Sequence, residues 1–276
     1  MHPDPEAVSV VVPYGKRDGD IERCVRSALA QGHAPQQVLV VANHAVDAGE
    51  ARSRLGSIAD DPRLRIVDGS ACRNANQARN LGARLAATPW IALLDSDDWW
   101  DPQHLQQALD VARAQRADMV YGSIRVHGPA DSIVLEACHF RRLGTPENYL
   151  LSYLPAQTSS YVFRRELVER QPWAEHLRRH QDYEWFARVA QHFVLAAAPV
   201  PTVHVEWLDE RRHKYHRDCW NVVGAWRGVV DYANFRRHHR ALLRSAIRSR
   251  DGFSLPLALW YLLDPLRPRR AFRGRA

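Results

Sequence analysis

Trp90-Ile91-Ala92-Leu93-Leu94-Asp95-Ser96-Asp97-Asp98 is an apolar run that breaks abruptly into an acidic turn. A short apolar run closed by polar residues is the pattern of a strand buried on both faces, as in a parallel sheet. Upstream, Leu64 to Val67, Val38 to Ala42, and Val8-Ser9-Val10-Val11-Val12 closed by Pro13 have the same character. Between them lie stripes at helical spacing: Ile21, Cys24, Val25, Ala28 and Leu29, then Asn76 to Ala87 with Ala78, Leu81 and Leu85 turned inward. Downstream, Leu105, Ala108, Leu109 and Ala112 repeat the stripe. This alternation predicts an α/β domain, a mostly parallel sheet flanked by helices. Ligands of such sheets lie beyond the carboxyl ends of the strands. The chemistry is therefore expected just after Val12, Ala42 and Leu94.

The pattern changes after Tyr121. Short strands are expected at Met119 to Ile124, Ser159 to Phe163 and Thr202 to Val205, with longer connections between them. From Arg217 to Arg250 the chain is basic and helical in character, and Phe253 to Leu263 is apolar with Pro256, Trp260 and Tyr261. Five arginines, Arg267, Arg269, Arg270, Arg273 and Arg275, follow. The expected division is a catalytic domain over 1–216 and a helical, basic extension over 217–276. Apolar and aromatic residues beside clustered cations fit a peripheral contact with an anionic membrane; packing on the domain or on a partner copy is the alternative.

The 276 residues carry a formal charge of +7, a surplus that suits an anionic partner. Four well-separated cysteines form no CxxC pair, which argues against a zinc knuckle or a redox pair. The first residues lack the pattern of a secretory signal, and no run approaches the ~20 apolar residues of a membrane span. A cytoplasmic location, at most at the inner face of the membrane, is expected.

Three carboxylates in four residues repel one another, so a cation is expected among them. Mg²⁺ and Mn²⁺ favour oxygen ligands and are shared between carboxylates and substrate phosphates. The plain alternative is a solvated turn, with Asp98 or Asp101 capping the next helix ahead of Pro102.

Val8 to Pro13, Cys24 to Gly32, Ala78-Arg79-Asn80-Leu81-Gly82, Leu94 to Asp98 and His180-Gln181-Asp182-Tyr183-Glu184-Trp185 occur in order. Together they resemble family-2 glycosyltransferases of the GT-A fold, over roughly residues 8 to 216. The resemblance implies transfer of a sugar from a nucleoside-diphosphate donor, with inversion and with Mn²⁺ or Mg²⁺. Pro13 and Tyr14 would line the base pocket. Asn43 would read the base edge where the family usually has an Asp-Asp pair; UDP is the first expectation, with dTDP and GDP open. Arg79 would pair with the diphosphate or hold the acidic turn. Asp95 and Ser96 would lie near the ribose, and Asp97 would bind the metal with His213 (His216 being its neighbouring alternative). Asp182 would be the general base, in a motif where Gln181 replaces the usual Glu. The acceptor would be a glycan, a lipid-linked intermediate or a peptide.

Rival readings are a DxD-type phosphohydrolase and a degenerate nucleotide-sugar binding protein. The former lacks the Thr or Val expected where Trp99 stands; the latter is motivated by Ala42-Asn43 and Gln181. A nucleic-acid module rests on basic charge alone, and no nucleic-acid partner is expected.

Overall fold

The computed structural model describes residues 4–15, 20–128, 131–152, 154–206, 217–226, 228–248 and 255–256. Strand β1 (Val8–Tyr14) is buried throughout, and β2 (Gln37–Asn43), β3 (Leu64–Gly69) and β4 (Trp90–Leu93) lie with it in parallel register. Crossing helices follow the predicted stripes. Helix α1 (Ile21–Leu29) buries Ile21, Cys24, Val25 and Ala28, and starts at Asp20, whose carboxylate accepts from the Arg23 N–H. Such a cap satisfies one of the amides that a first turn leaves unpaired. Helix α2 (Ala48–Leu55) precedes β3, and α3 (Ala75–Leu85) is capped by Asn74 and ends two residues before the expected Ala87, where Ala86 turns extended.

Beyond the acidic turn come β5 (Trp99–Trp100) and α4 (His104–Gln115). The side chain before α4, Gln103, makes no cap bond. Asp101 instead lies 3.0 Å from His204 Nε2, so the expected Asp101 cap does not form. Strands β6 (Met119–His127), β7 (Ser132–Leu135), β8 (Val162–Arg164) and β9 (Leu195–Glu206) complete a mixed sheet of order β3-β2-β1-β4-β8-β6-β9-β5, with β7 beside β6. Antiparallel β8 separates β4 from β6. The parallel order expected from the sequence holds through the N-terminal half; the later strands introduce the antiparallel pairs.

Each face of the sheet has its own core. Val8, Val10, Val12 and Tyr14 meet α1, α2 and α4 on one side. Val11, Leu39, Ile91 and Leu93 meet α3, α5 (Pro146–Leu151), α6 (Arg165–Arg170) and α7 (Gln181–Val189) on the other. Full burial of each such side chain contributes roughly 1.5–3 kcal/mol, so the strand ends that carry the site are stiffly held. Close approach of α3 depends on Gly82, since any Cβ there would collide with Val11 Cγ1.

Helices α8 (Arg217–Ala225) and α9 (Tyr232–Arg248) occupy the expected basic stretch. Val223, Val230 and Phe235 pack on Leu151 and Tyr183, so these helices lean on α5 and α7. The Phe253–Leu263 segment and the arginine tail fall outside the described residues apart from Leu255 and Pro256. No described helix is long and apolar enough to cross a membrane.

Candidate active site

The acidic residues occupy the turn that leaves β4, at the carboxyl edge of the parallel strands. A bond from the Asp98 N–H to the Asp95 carbonyl, 3.0 Å, closes the turn. Its carboxylates are not equivalent. Asp95 receives Arg79 Nη2 at 2.7 Å and the Thr158 hydroxyl at 2.6 Å. Asp98 is 4% exposed and accepts from the Ser159 hydroxyl and the Glu206 N–H. Burial, then the charges of Asp95 and Asp97, push the Asp98 carboxyl well above the usual range. Asp97 is partly exposed and Ser96 buried.

Arg79 is the hub beneath this turn. It sits on α3 at 4% exposure, and besides Asp95 it reaches Asn76 Oδ1 at 3.2 Å and Gln181 Oε1 at 3.3 Å. Its guanidinium also lies over the Trp173 ring. A planar fork with several donors suits such a junction. Of the two roles expected for Arg79, these contacts are those of holding the acidic turn.

Gln181 and Asp182 form the first turn of α7. The preceding residue, His180, adopts a left-handed conformation, φ 52°, and its ring packs on Tyr183 and His238. Asp182 is partly buried, within the helix rather than at its cap, and accepts from the Tyr183 N–H at 3.0 Å. Burial raises its carboxyl above the ordinary range; Arg79 opposes that rise and Asp95 adds to it. The turn on β4 and the start of α7 are thus electrostatic neighbours joined by one cation.

The other expected residues lie at the ends of β1 and β2. Asn43 is buried, its amide donates to the Val41 carbonyl at 3.1 Å, and a Cβ on Gly15 would come within 2.5 Å of its Oδ1. Pro13 is buried, and the Tyr14 ring is enclosed on the α1 side because strand alternation puts it with Val8, Val10 and Val12. His213 and His216 fall outside the described residues. Among the described residues no three His, Cys, Asp or Glu side chains converge to enclose a metal ion.

Sequence reading missed Thr158 and Ser159, which lie in a 3₁₀ turn before β8 and bind two of the three carboxylates. Their signal is the hydroxyl cluster Thr158-Ser159-Ser160, of which only Ser159 and Ser160 fall in the expected strand Ser159 to Phe163. Cys24, whose thiol faces the Asp95 carbonyl, was read as a core residue of α1. Burial and the three aspartates push its pKa well upward, which makes it a packing residue rather than a nucleophile.

The succinoglycan biosynthesis protein ExoO of Rhizobium meliloti is 35% identical over 168 residues, covering 59% of this chain and 44% of that protein. The amylovoran biosynthesis glycosyltransferase AmsB of Erwinia amylovora is 26% identical over 223 residues, covering 75% and 72%. The chain thus spans less than half the length of the first of these relatives. The crystal structure of S. aureus TarS residues 1–349 in complex with UDP-GlcNAc superposes with a TM-score of 0.59 at 14% identity, over 92% of this chain and 72% of that one. That likeness establishes a TarS-like GT-A fold. The family model "Glycosyl transferase family 2" matches residues 9–163, more than half of the chain and all of the acidic turn with its Arg79 support. The chain belongs to glycosyl transferase family 2.

Proposed function

We propose that the chain transfers a sugar from a nucleoside-diphosphate donor to an acceptor hydroxyl, with inversion at the anomeric carbon. The observation that carries this reading is the junction at Arg79, which touches Asp95 and Gln181 and so sets the acidic turn beside Asp182. A donor-binding carboxylate and a proton acceptor must stand close together for direct displacement.

Asp182 takes the proton of the acceptor hydroxyl as that oxygen bonds to the anomeric carbon. The bond from that carbon to the diphosphate oxygen breaks, and the nucleoside diphosphate leaves. A carboxylate raised by burial is a stronger base than one in water. Asp95 and Ser96 border the ribose, and Pro13 and Asn43 border the base, with the Tyr14 ring held in the core behind them.

Carboxylate oxygens are the ligand type that a hard divalent ion prefers, which supports a metal at this turn. Asp97 is a partly exposed carboxylate beside two others, Asp95 and Asp98, at the carboxyl edge of the parallel strands. Asp97, with His213, would hold Mn²⁺ or Mg²⁺, which when bound supplies charge compensation for the departing diphosphate.

UDP is the proposed nucleotide, a choice supported by the UDP-GlcNAc complex of TarS; dTDP and GDP are the alternatives. Relatives named for succinoglycan and amylovoran synthesis favour a glycan acceptor, free or lipid-linked, over a peptide. For the tail beyond residue 253 we propose a peripheral contact at the inner face of the membrane.

A second reading, donor binding without turnover, is favoured by Gln181, whose amide oxygen takes an Arg79 donor where the family has a carboxylate. Thermal shift with UDP, GDP, CDP and dTDP, with and without Mn²⁺, tests the donor site. One nucleotide is expected to stabilise the protein only with metal, by about 2.7 kcal/mol at a hundred times its Kd. Asp97→Asn is expected to abolish that gain. No shift with any nucleotide would sink the donor reading, and metal-dependent binding without donor turnover would select the second.

A further inference from the structure

Glu206, the last residue of β9, meets the acidic turn from the side opposite Arg79. Its N–H donates to the buried Asp98 carboxylate. Its own carboxylate pairs with Arg23 Nη2 at 2.7 Å, across 183 residues of chain. The same Arg23 guanidinium lies 3.7 Å from the centre of the Trp99 ring, two residues beyond Asp97. The Trp99 ring also stacks with His127 and His204 at 4.9 and 5.0 Å, and Trp99 pairs with His204 in the sheet. His204 in turn contacts Asp101. Every residue from Asp98 to Asp101 thus has a side-chain or backbone tie to β9 or to Arg23, Trp100 through its pairing with Val203.

We infer that Arg23 and Glu206 are positioning residues that clamp the acidic turn from α1 and β9, and so fix the Asp97 carboxylate toward the donor. This deepens the donor-site reading of Asp97 proposed above and rests on it. Neither residue need touch the donor. Arg23 is 35% exposed and Glu206 24%, so the pair is not a pillar of the core. Its weight comes from what it joins: the helix after β1, the turn after β4 and the end of β9. A cation stacked on an aromatic face and paired with a carboxylate is held in one orientation, as a positioning group must be.

The test is Arg23→Met, which keeps the stem but removes the fork, beside Glu206→Gln and the swapped pair Arg23→Glu/Glu206→Arg. In Arg23→Met, affinity for UDP with Mn²⁺ is expected to fall about tenfold, the order seen when an outer support of a metal-binding carboxylate is lost. KM for the donor rises, kcat changes little, and Tm stays near that of the parent. Independently of any ligand, hydrogen exchange at the Glu206 and Asp98 amides is expected to quicken, while exchange in β1 and β2 is unchanged. The swapped pair is expected to recover part of both losses. Parent-like exchange at Glu206 and Asp98 in both single variants would overturn the inference, as would parent-like UDP affinity where the parent binds UDP. If the parent binds no nucleoside diphosphate, the donor reading fails and the exchange comparison alone decides the clamp.

Discussion

Arg79 Nη2 lies 2.7 Å from Asp95 Oδ1, and the arginine side chain is 5% exposed while the aspartate is 29% exposed. The cation is the buried partner and the anion the one that reaches toward solvent. Removing the cation therefore strands a carboxylate beside Asp97 and Asp98, whereas Lys retains charge without the fork. Arg79→Ala is expected to lower stability by about 3 kcal/mol, the low end for a broken buried pair because water reaches Asp95. Arg79→Lys should lose less. Urea unfolding midpoints measure both.

Asp182 separates activity from stability. Its folded pKa lies above the unfolded value, so its contribution favours folding at low pH and is lost as pH rises through the folded pKa. At pH 7 to 8 Asp182→Asn is expected to lower kcat about 10²–10⁴-fold, as for loss of a general base. Its Tm should match or exceed that of the parent. A lowered Tm with retained kcat would assign Asp182 a purely structural role.

Gln181→Glu places a second carboxylate next to Asp182 and Arg79. Like-charge repulsion is expected to raise the Asp182 pKa and, with Asp182 in its proposed role, to move the acidic limb of the pH–rate profile to higher pH. The measurement is kcat/KM against pH for both proteins.

The site was partly legible in the sequence because local order determines part of it. Asp95, Asp97 and Asp98 lie together in any strand-end turn, and the apolar runs before them gave β1 to β4. Thr158, Ser159 and Glu206 reach the same turn from 60 or more residues away, through β8 and β9, whose antiparallel and crossover pairings no periodicity encodes. Tyr14 shows the reverse. Its place at the end of β1 was plain, yet alternation with Val12 turned its ring into the core.

Gly82→Ala should destabilise despite the better helix propensity of alanine, because the added methyl meets Val11 across the α3–β1 contact. The expected loss is about 1–3 kcal/mol, the range for overpacking a core. Val11→Ala in the same chain is expected to offset part of it, as thermal unfolding of the double variant would reveal.

His180, locked in its left-handed turn, rests against His238 of α9, with 3.5 Å between the two Nε2 atoms. Burial lowers the His180 pKa to about 4, so this contact is between uncharged rings at neutral pH. The stretch that looked like an appendage in the sequence therefore buttresses the turn that presents Asp182. A chain cut at residue 216 would lose the rear wall of the helix that carries Asp182, and its deficit would surface in that helix before it surfaced in the sheet.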